Sequence, residues 1–170
     1  MAVTTLISEQ EYLRTSYPDL DREYCDGEVI ERSMPDNDHG KLQSDLGYYF
    51  GKLRIERGLP IYGCSETRNR TGAARFRIPD ISVFWPTEPR QAVPEFKPLI
   101  AIEILSPSDS LMDVRVKLRE YVDAGIPHVW LLDPRERVFF VFGQQGLREV
   151  PVLSIPEVGI EIQPSDFFRD

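Results

Sequence analysis

Asp80, Glu103 and Lys117 fall in one stretch, Arg77 to Tyr121, where their side chains are costly to place. The stretch reads RIPDISVFW, then a Pro-rich connection, then LIAIEILSPSDSLMDVRVKLREY. Glu103 sits in the middle of a nearly continuous apolar run, the signature of a central strand buried on both faces. An ionised carboxylate there is costly unless it is paired, hydrogen-bonded or bound to a cation. A plain ion pair at the strand end would satisfy it. So would a divalent ion shared with Asp80 and the backbone carbonyl of Ile104. Two carboxylates and a carbonyl are hard oxygen donors, suited to magnesium or manganese. Such an ion acidifies a bound water and neutralises a phosphodiester, and Lys117 would orient that water or stabilise developing negative charge. Lys117 also has a harmless alternative, pairing with Asp113 or Glu120 along its own helix.

The elements that must position these residues can be read from periodicity. Pro79 lacks an amide donor, so a strand begins or bends at Asp80. SPSDS supplies a turn and a cap for a helix over 110–124, with Leu111, Val114, Leu118, Tyr121 and Val122 as its buried stripe. Gly125 and Pro127 end it, and HVWLLD reads as the next strand. Strand, helix, strand in that order predicts a parallel pair joined by a crossover.

Upstream, Ser8 and Glu11 have capping-box spacing for a short N-terminal helix. Asp26-Gly27 marks a hairpin, with Glu28 just past the turn as a solvent-face residue or a site acid. A long helix over 37–57 is capped by Asp36 to Asp38, buries Leu42, Leu46, Tyr49, Phe50 and Leu53, and stops at Gly58. Gly47 and Gly51 weaken it, which points to a close packing contact. His39, in its first turn, could reach an anion or metal or lie at the surface. Two strands joined by a basic loop centred on Asn69 to Ala74 come next. The tail from Arg137 onward reads as short strands.

At 170 residues the chain is expected to be a single domain, 1–170, with a sizeable core. No apolar run approaches a membrane span, and the N-terminus lacks a signal-peptide pattern. Cys25 and Cys64 are too few for a disulfide framework, which points to a cytoplasmic protein with free thiols. The net charge of −8 argues against nucleic acid taken alone. Yet residues 41–77 carry eight basic side chains against three acids, so Arg68, Arg70, Arg75 and Arg77 are candidates for backbone contacts. A solvated helix face and loop would account for them equally. No phosphate loop, G-x-S-x-G, H-E-x-x-H or dinucleotide fingerprint is present. Two histidines exclude a histidine-rich metal site.

Pro79-Asp80, the run Glu103 to Ser108, Lys117 in KLREY, Ala124-Gly125 and VWLLDP together resemble the Uma-type, restriction-endonuclease-like proteins. DGE at 26–28 and PDNDHG at 35–40 resemble that family too. The resemblance covers nearly the whole chain, and its broader class is the PD-(D/E)-X-K nuclease superfamily. It implies an α/β fold with a central mixed sheet flanked by helices, here with an additional N-terminal helix and hairpin. It also implies a magnesium site, a DNA substrate (RNA being the alternative) and a homodimer. The superfamily lysine stands two residues after the second acid, where this chain has Leu105. The resemblance therefore implies a lysine moved to the helix, Lys117, and an N-terminal acid joining the site, Glu28, with His39 a further candidate. The competing expectation is a nuclease-like fold that cuts poorly and serves as a binding or assembly module.

Overall fold

The computed structural model describes residues 6–168. Helix α1 (Glu9–Arg14) is capped by Ser8, whose hydroxyl accepts from the Glu11 amide at 3.1 Å. Strands β1 (Glu23–Cys25) and β2 (Glu28–Ile30) form the expected hairpin. Asp26 and Gly27 both take positive φ, 50° and 102°, as a two-residue hairpin turn matched to strand twist requires. Helix α2 (Asn37–Arg57) is capped by the Asp36 carboxylate, which accepts from the His39 amide, and ends at Gly58 with φ 63°.

The expected basic loop is in fact a hairpin. Asn69–Gly72 is strand β4 and Arg75–Arg77 is β5, following β3 (Tyr62–Ser65). The Arg70 guanidinium lies 4.5 Å from the Phe76 ring centroid, so this basic segment covers apolar surface and holds an ordered strand pair. Then come β6 (Ile81–Phe84), β7 (Ile100–Ile104), α3 (Leu111–Asp123) and β8 (His128–Asp133). The chain closes with β9 (Val138–Gly143), β10 (Gly146–Val150), and a hairpin of β11 (Leu153–Ile155) and β12 (Ile160–Ile162).

The main sheet has the order β10-β9-β8-β7-β6-β3. Strands β7 and β8 are parallel, and α3 connects them as expected; the other neighbours are antiparallel. This is an α/β fold on a mixed sheet. A second sheet, β2-β1-β5-β4, is antiparallel throughout. Alternation along β7 divides the core. Ile100, Ile102 and Ile104 join the cluster with α2 and the β11–β12 hairpin, whereas Ala101 joins Leu118, Tyr121 and Leu131 in the cluster with α3. A third cluster, Tyr12, Tyr24 and Phe76, fastens α1 to the second sheet. Among the described residues no helix is long and apolar enough to cross a membrane.

Two packing expectations change. Leu111 is not part of the buried stripe of α3; it is 58% exposed. The first turn of α3 begins where β7 has ended, and Val114 there lines an open cleft. Gly47 and Gly51 meet no close contact, since a Cβ at either would have open space around it. The tight approach is at Gly63 on β3, where a Cβ would lie 2.9 Å from the Phe50 Cβ.

These glycines should therefore respond in opposite directions. Gly47→Ala and Gly51→Ala should each stabilise the fold by about 0.5–1 kcal/mol, through helix propensity and loss of unfolded-state freedom. Gly63→Ala should destabilise it by about 1–3 kcal/mol, because α2 must lift from the sheet. Urea unfolding of the three variants measures both signs.

Candidate active site

Asp80 ends the link between the two sheets, one residue before β6. The β6–β7 register pairs Ile81 with Ile102, so the next antiparallel step sets Asp80 beside Glu103. Both carboxylates are buried, 4% and 7% exposed. The Ile104 amide donates to Asp80 Oδ2 at 2.7 Å. His39 Nε2 lies 3.1 Å from the same oxygen, and Arg32 Nη2 donates to Oδ1 at 3.2 Å. His39 reaches it because it continues the buried face of α2, three residues before Leu42.

Glu103 is held by α3. Lys117 Nζ lies 3.0 Å from Glu103 Oε2, and the Tyr121 hydroxyl donates to Oε1 at 2.6 Å. Lys117 and Tyr121 stand four apart and so share a helix face. Lys117 also lies 2.9 Å from Glu23 Oε1 and donates to the Ile78 carbonyl at 3.4 Å. Glu23, on β1, accepts from Arg77 at 2.8 Å and from the Ile78 amide at 3.0 Å. Arg77 in turn donates two hydrogen bonds of 2.7 Å to Glu120. Lys117 thus pairs with Glu103 and Glu23, while Glu120 binds Arg77 and Arg75. Asp80, Glu103, Lys117, Glu23 and Arg77 line a cleft of about 230 Å³ bounded by the 30–33 segment, the start of α3 and the turn after β7.

The electrostatics single out Glu103. Burial pushes its carboxyl up, Asp80 and Glu23 add to the effect, and Lys117 and the Tyr121 hydroxyl oppose it; the result is about 7. Burial would raise Asp80 too, but His39, Lys117 and the Ile104 amide hold it below the ordinary range. Glu23 is likewise lowered against burial, by Lys117, Arg77 and the Ile78 amide. Burial would lower Lys117, yet Glu103, Glu23 and Asp80 lift it above its usual range. His39 is raised by Asp80 in spite of burial. Glu103 is therefore the carboxyl of the cluster able to exchange a proton near neutral pH.

The structure brings Asp80, Glu103, Lys117, His39 and Ile104 to one cleft. Glu28 is elsewhere: it is exposed beside the hairpin turn, opposite Cys25. The acid that the N-terminal hairpin sends to the cleft is Glu23, missed because its strand is only three residues long and its alternation is short. Arg32 was missed as well, lying in an irregular segment without periodicity. The four arginines expected to meet nucleic acid are engaged internally. Arg68 forks onto Asp21 and stacks on Tyr12, and Arg70 pairs with Glu9. Arg75 bridges Asp26 and Glu120, and Arg77 is buried between Glu23 and Glu120.

The donor set suits a hard cation. Asp80 and Glu103 offer carboxylate oxygens to one cleft that Ile104 also lines. Among the described residues no three His, Cys, Asp or Glu side chains converge as a closed metal centre. Magnesium does not need one, since it is held by one or two carboxylates and keeps several waters.

A mixed sheet with a glutamate on a central strand, an aspartate just before the neighbouring strand and a lysine from the packed helix, all lining one cleft, places the protein among restriction-endonuclease-like folds. The chain belongs to the Uma2 family, described as "Putative restriction endonuclease", which it matches over residues 9–169. Among solved structures it is similar to "a putative nuclease belonging to DUF820" from Anabaena variabilis ATCC 29413. The identity is 27% and the TM-score 0.81, covering 95% of this chain and 97% of that one. No curated protein matches.

Two measurements check the site. Glu103 holds its proton above the ordinary carboxylate value of 4.5, up to about 7. That contribution to stability is full below about pH 4.5 and lost as pH rises through about 7. Glu103→Gln cannot ionise, so it should gain stability relative to the wild type across this window; parallel stability–pH curves would refute the neutral carboxyl. Glu23→Ala should cost about 3–5 kcal/mol, because it strands two buried cations. Glu28→Ala should stay within about 0.5 kcal/mol, both read by chemical denaturation.

Proposed function

We propose that this protein is a divalent-metal-dependent endonuclease that hydrolyses phosphodiester bonds in DNA. The observation that carries this reading is the Lys117 ammonium, 3.0 Å from Glu103 in the same cleft as Asp80. A lysine from the following helix thereby supplies the cation that Leu105 cannot. The family's description and the similar Anabaena variabilis nuclease support the same class of chemistry.

In this reading Asp80, Glu103 and the Ile104 carbonyl would hold Mg2+ or Mn2+. When bound, the ion supplies an acidified water and neutralises charge on the phosphate. Lys117 keeps its charge near neutral pH, because three carboxylates hold its proton. Its Nζ hydrogen-bonds the attacking water or a non-bridging phosphate oxygen, where negative charge grows as the water oxygen bonds phosphorus. The bond from phosphorus to the leaving oxygen breaks; the attacking water gives up a proton to solvent and the leaving oxygen takes one from solvent. Glu23, on the second sheet, fixes Lys117, and Tyr121 fixes the second oxygen of Glu103. His39 holds Asp80 in place through Nε2. The protein acts as a cytoplasmic homodimer, since two sites are needed to cut both strands of a duplex.

A second reading, a nuclease-like module that binds without cutting, is favoured by one observation. Arg68, Arg70, Arg75 and Arg77 are all spent on internal ion pairs, which leaves the chain little cationic surface there to grip a phosphate backbone. Metal-dependent cleavage separates the two readings. The wild type should nick or cut duplex DNA with Mg2+ or Mn2+ and stop when EDTA is added. Asp80→Asn, Glu103→Gln and Lys117→Met should each lower kcat/KM by about 10²–10³-fold, with circular dichroism unchanged. Variants that cut like the wild type would remove these residues from the reaction. A wild type that binds DNA in a salt-sensitive manner and never cuts it would establish the module.

A further inference from the structure

Arg32 is a buried guanidinium of the cleft with donors to spare. Its side chain is nine-tenths buried, on the wall that joins β2 to α2. Its two ionic contacts are long: Nη2 to Asp80 Oδ1 is 3.2 Å, and Nη1 to Glu66 Oε2 is 3.7 Å. Charge-assisted hydrogen bonds usually close to about 2.7–2.9 Å, as Arg77 does on Glu23 and Glu120 at 2.7–2.8 Å. Nη1 is buried and makes no hydrogen bond. An orphaned charged donor of this kind calls for an explanation. Lys117, by contrast, makes two short contacts, to Glu103 and Glu23 at 3.0 and 2.9 Å.

A guanidinium presents its donors as a planar fork that matches two oxygens of one phosphate. We propose that Arg32 is the residue through which this cleft grips the non-bridging oxygens of a phosphodiester, with Asp80 and Glu66 holding the fork ready. This inference rests on the nuclease reading for the identity of the substrate, but not for the anion-binding role itself. Asp80 would then serve three neighbours, setting the orientation of Arg32 with one oxygen and facing His39 and the Ile104 amide with the other. Arg32 and Lys117 line the same cleft, so a phosphate there would meet cations from the 31–36 segment and from α3.

The test uses the whole protein and inorganic phosphate as the probe. Phosphate titrated into nitrogen-15-labelled protein, with Mg2+ present, should shift the Arg32 guanidinium signal to saturation; Arg32→Lys assigns that signal. Arg32→Lys keeps the charge and loses the fork. It should lower kcat/KM for Mg2+-dependent cleavage of a labelled DNA duplex by about 10²-fold. Its melting temperature and its Mn2+ affinity by electron paramagnetic resonance should stay at wild-type values. The proposal is overturned if phosphate leaves the Arg32 signal in place, or if Arg32→Lys cuts as well as the wild type. It is also overturned if Arg32→Lys loses Mn2+ binding together with cleavage, because Arg32 would then act only by holding Asp80. If phosphate moves the signal and the wild type cuts no DNA, Arg32 stands as an oxyanion site and the nuclease reading falls.

Discussion

A carboxyl group in the middle of the central strand is the constraint on which the other features of this molecule depend. Glu103 has Ile102 and Ile104 as neighbours and Leu131 directly across the parallel ladder. Water cannot solvate it there, so protein groups must. Helix α3 answers with Lys117 and Tyr121. Lys117 is then itself a buried charge, and Glu23 answers it from the second sheet. Glu23 is answered by Arg77, and Arg77 by Glu120. The alternation continues through Arg75 to Asp26, at the hairpin turn, where solvent takes over. One buried acid thus recruits a chain of opposite charges that ties the two sheets and α3 together. Removing a member leaves its neighbours uncompensated in a low dielectric, where the penalty is largest.

The same chain of charges explains why a basic stretch of sequence does not become a basic surface. Arg75 and Arg77 are drawn inward by Glu120 and Glu23, and Arg68 and Arg70 are drawn to α1 and the loop after it. What remains in the cleft is a set of carboxylates that its cations compensate unevenly. Asp80 and Glu23 are well served, and Glu103 keeps a proton up to neutral pH. In the nuclease reading this imbalance favours a divalent ion, which can take the place of that proton. Arg32 then supplies anion recognition that surface arginines would otherwise provide.

Much of the local structure was legible in the chain. Ser8, Asp36 and Ser110 cap the helices they were expected to cap, and Asp26-Gly27 makes its turn. Glu103 announced itself by being costly. The burial of His39 is legible too: it lies three residues before Leu42, on the apolar stripe of α2. The failures have physical causes. Leu111 follows the helical period, but the sheet ends before it does. Gly47 and Gly51 suggested a close contact that belongs instead to Gly63, because which glycine lies under a helix depends on packing and not on propensity.

The sequence alone determined the helices and most of the strands, though not the β4–β5 hairpin, and it determined that β7 is buried and that Glu103 needs a partner. Those properties follow from periodicity, capping and desolvation, which act over a few residues. Only the tertiary structure decided who the partners are. Lys117 is 14 residues from Glu103, Arg32 is 48 from Asp80, and Arg77 is 54 from Glu23. Over such separations every acid in the chain is a formal candidate for every base. Sheet register and helix placement make the choice, and for that reason Glu23 rather than Glu28 stands beside Lys117.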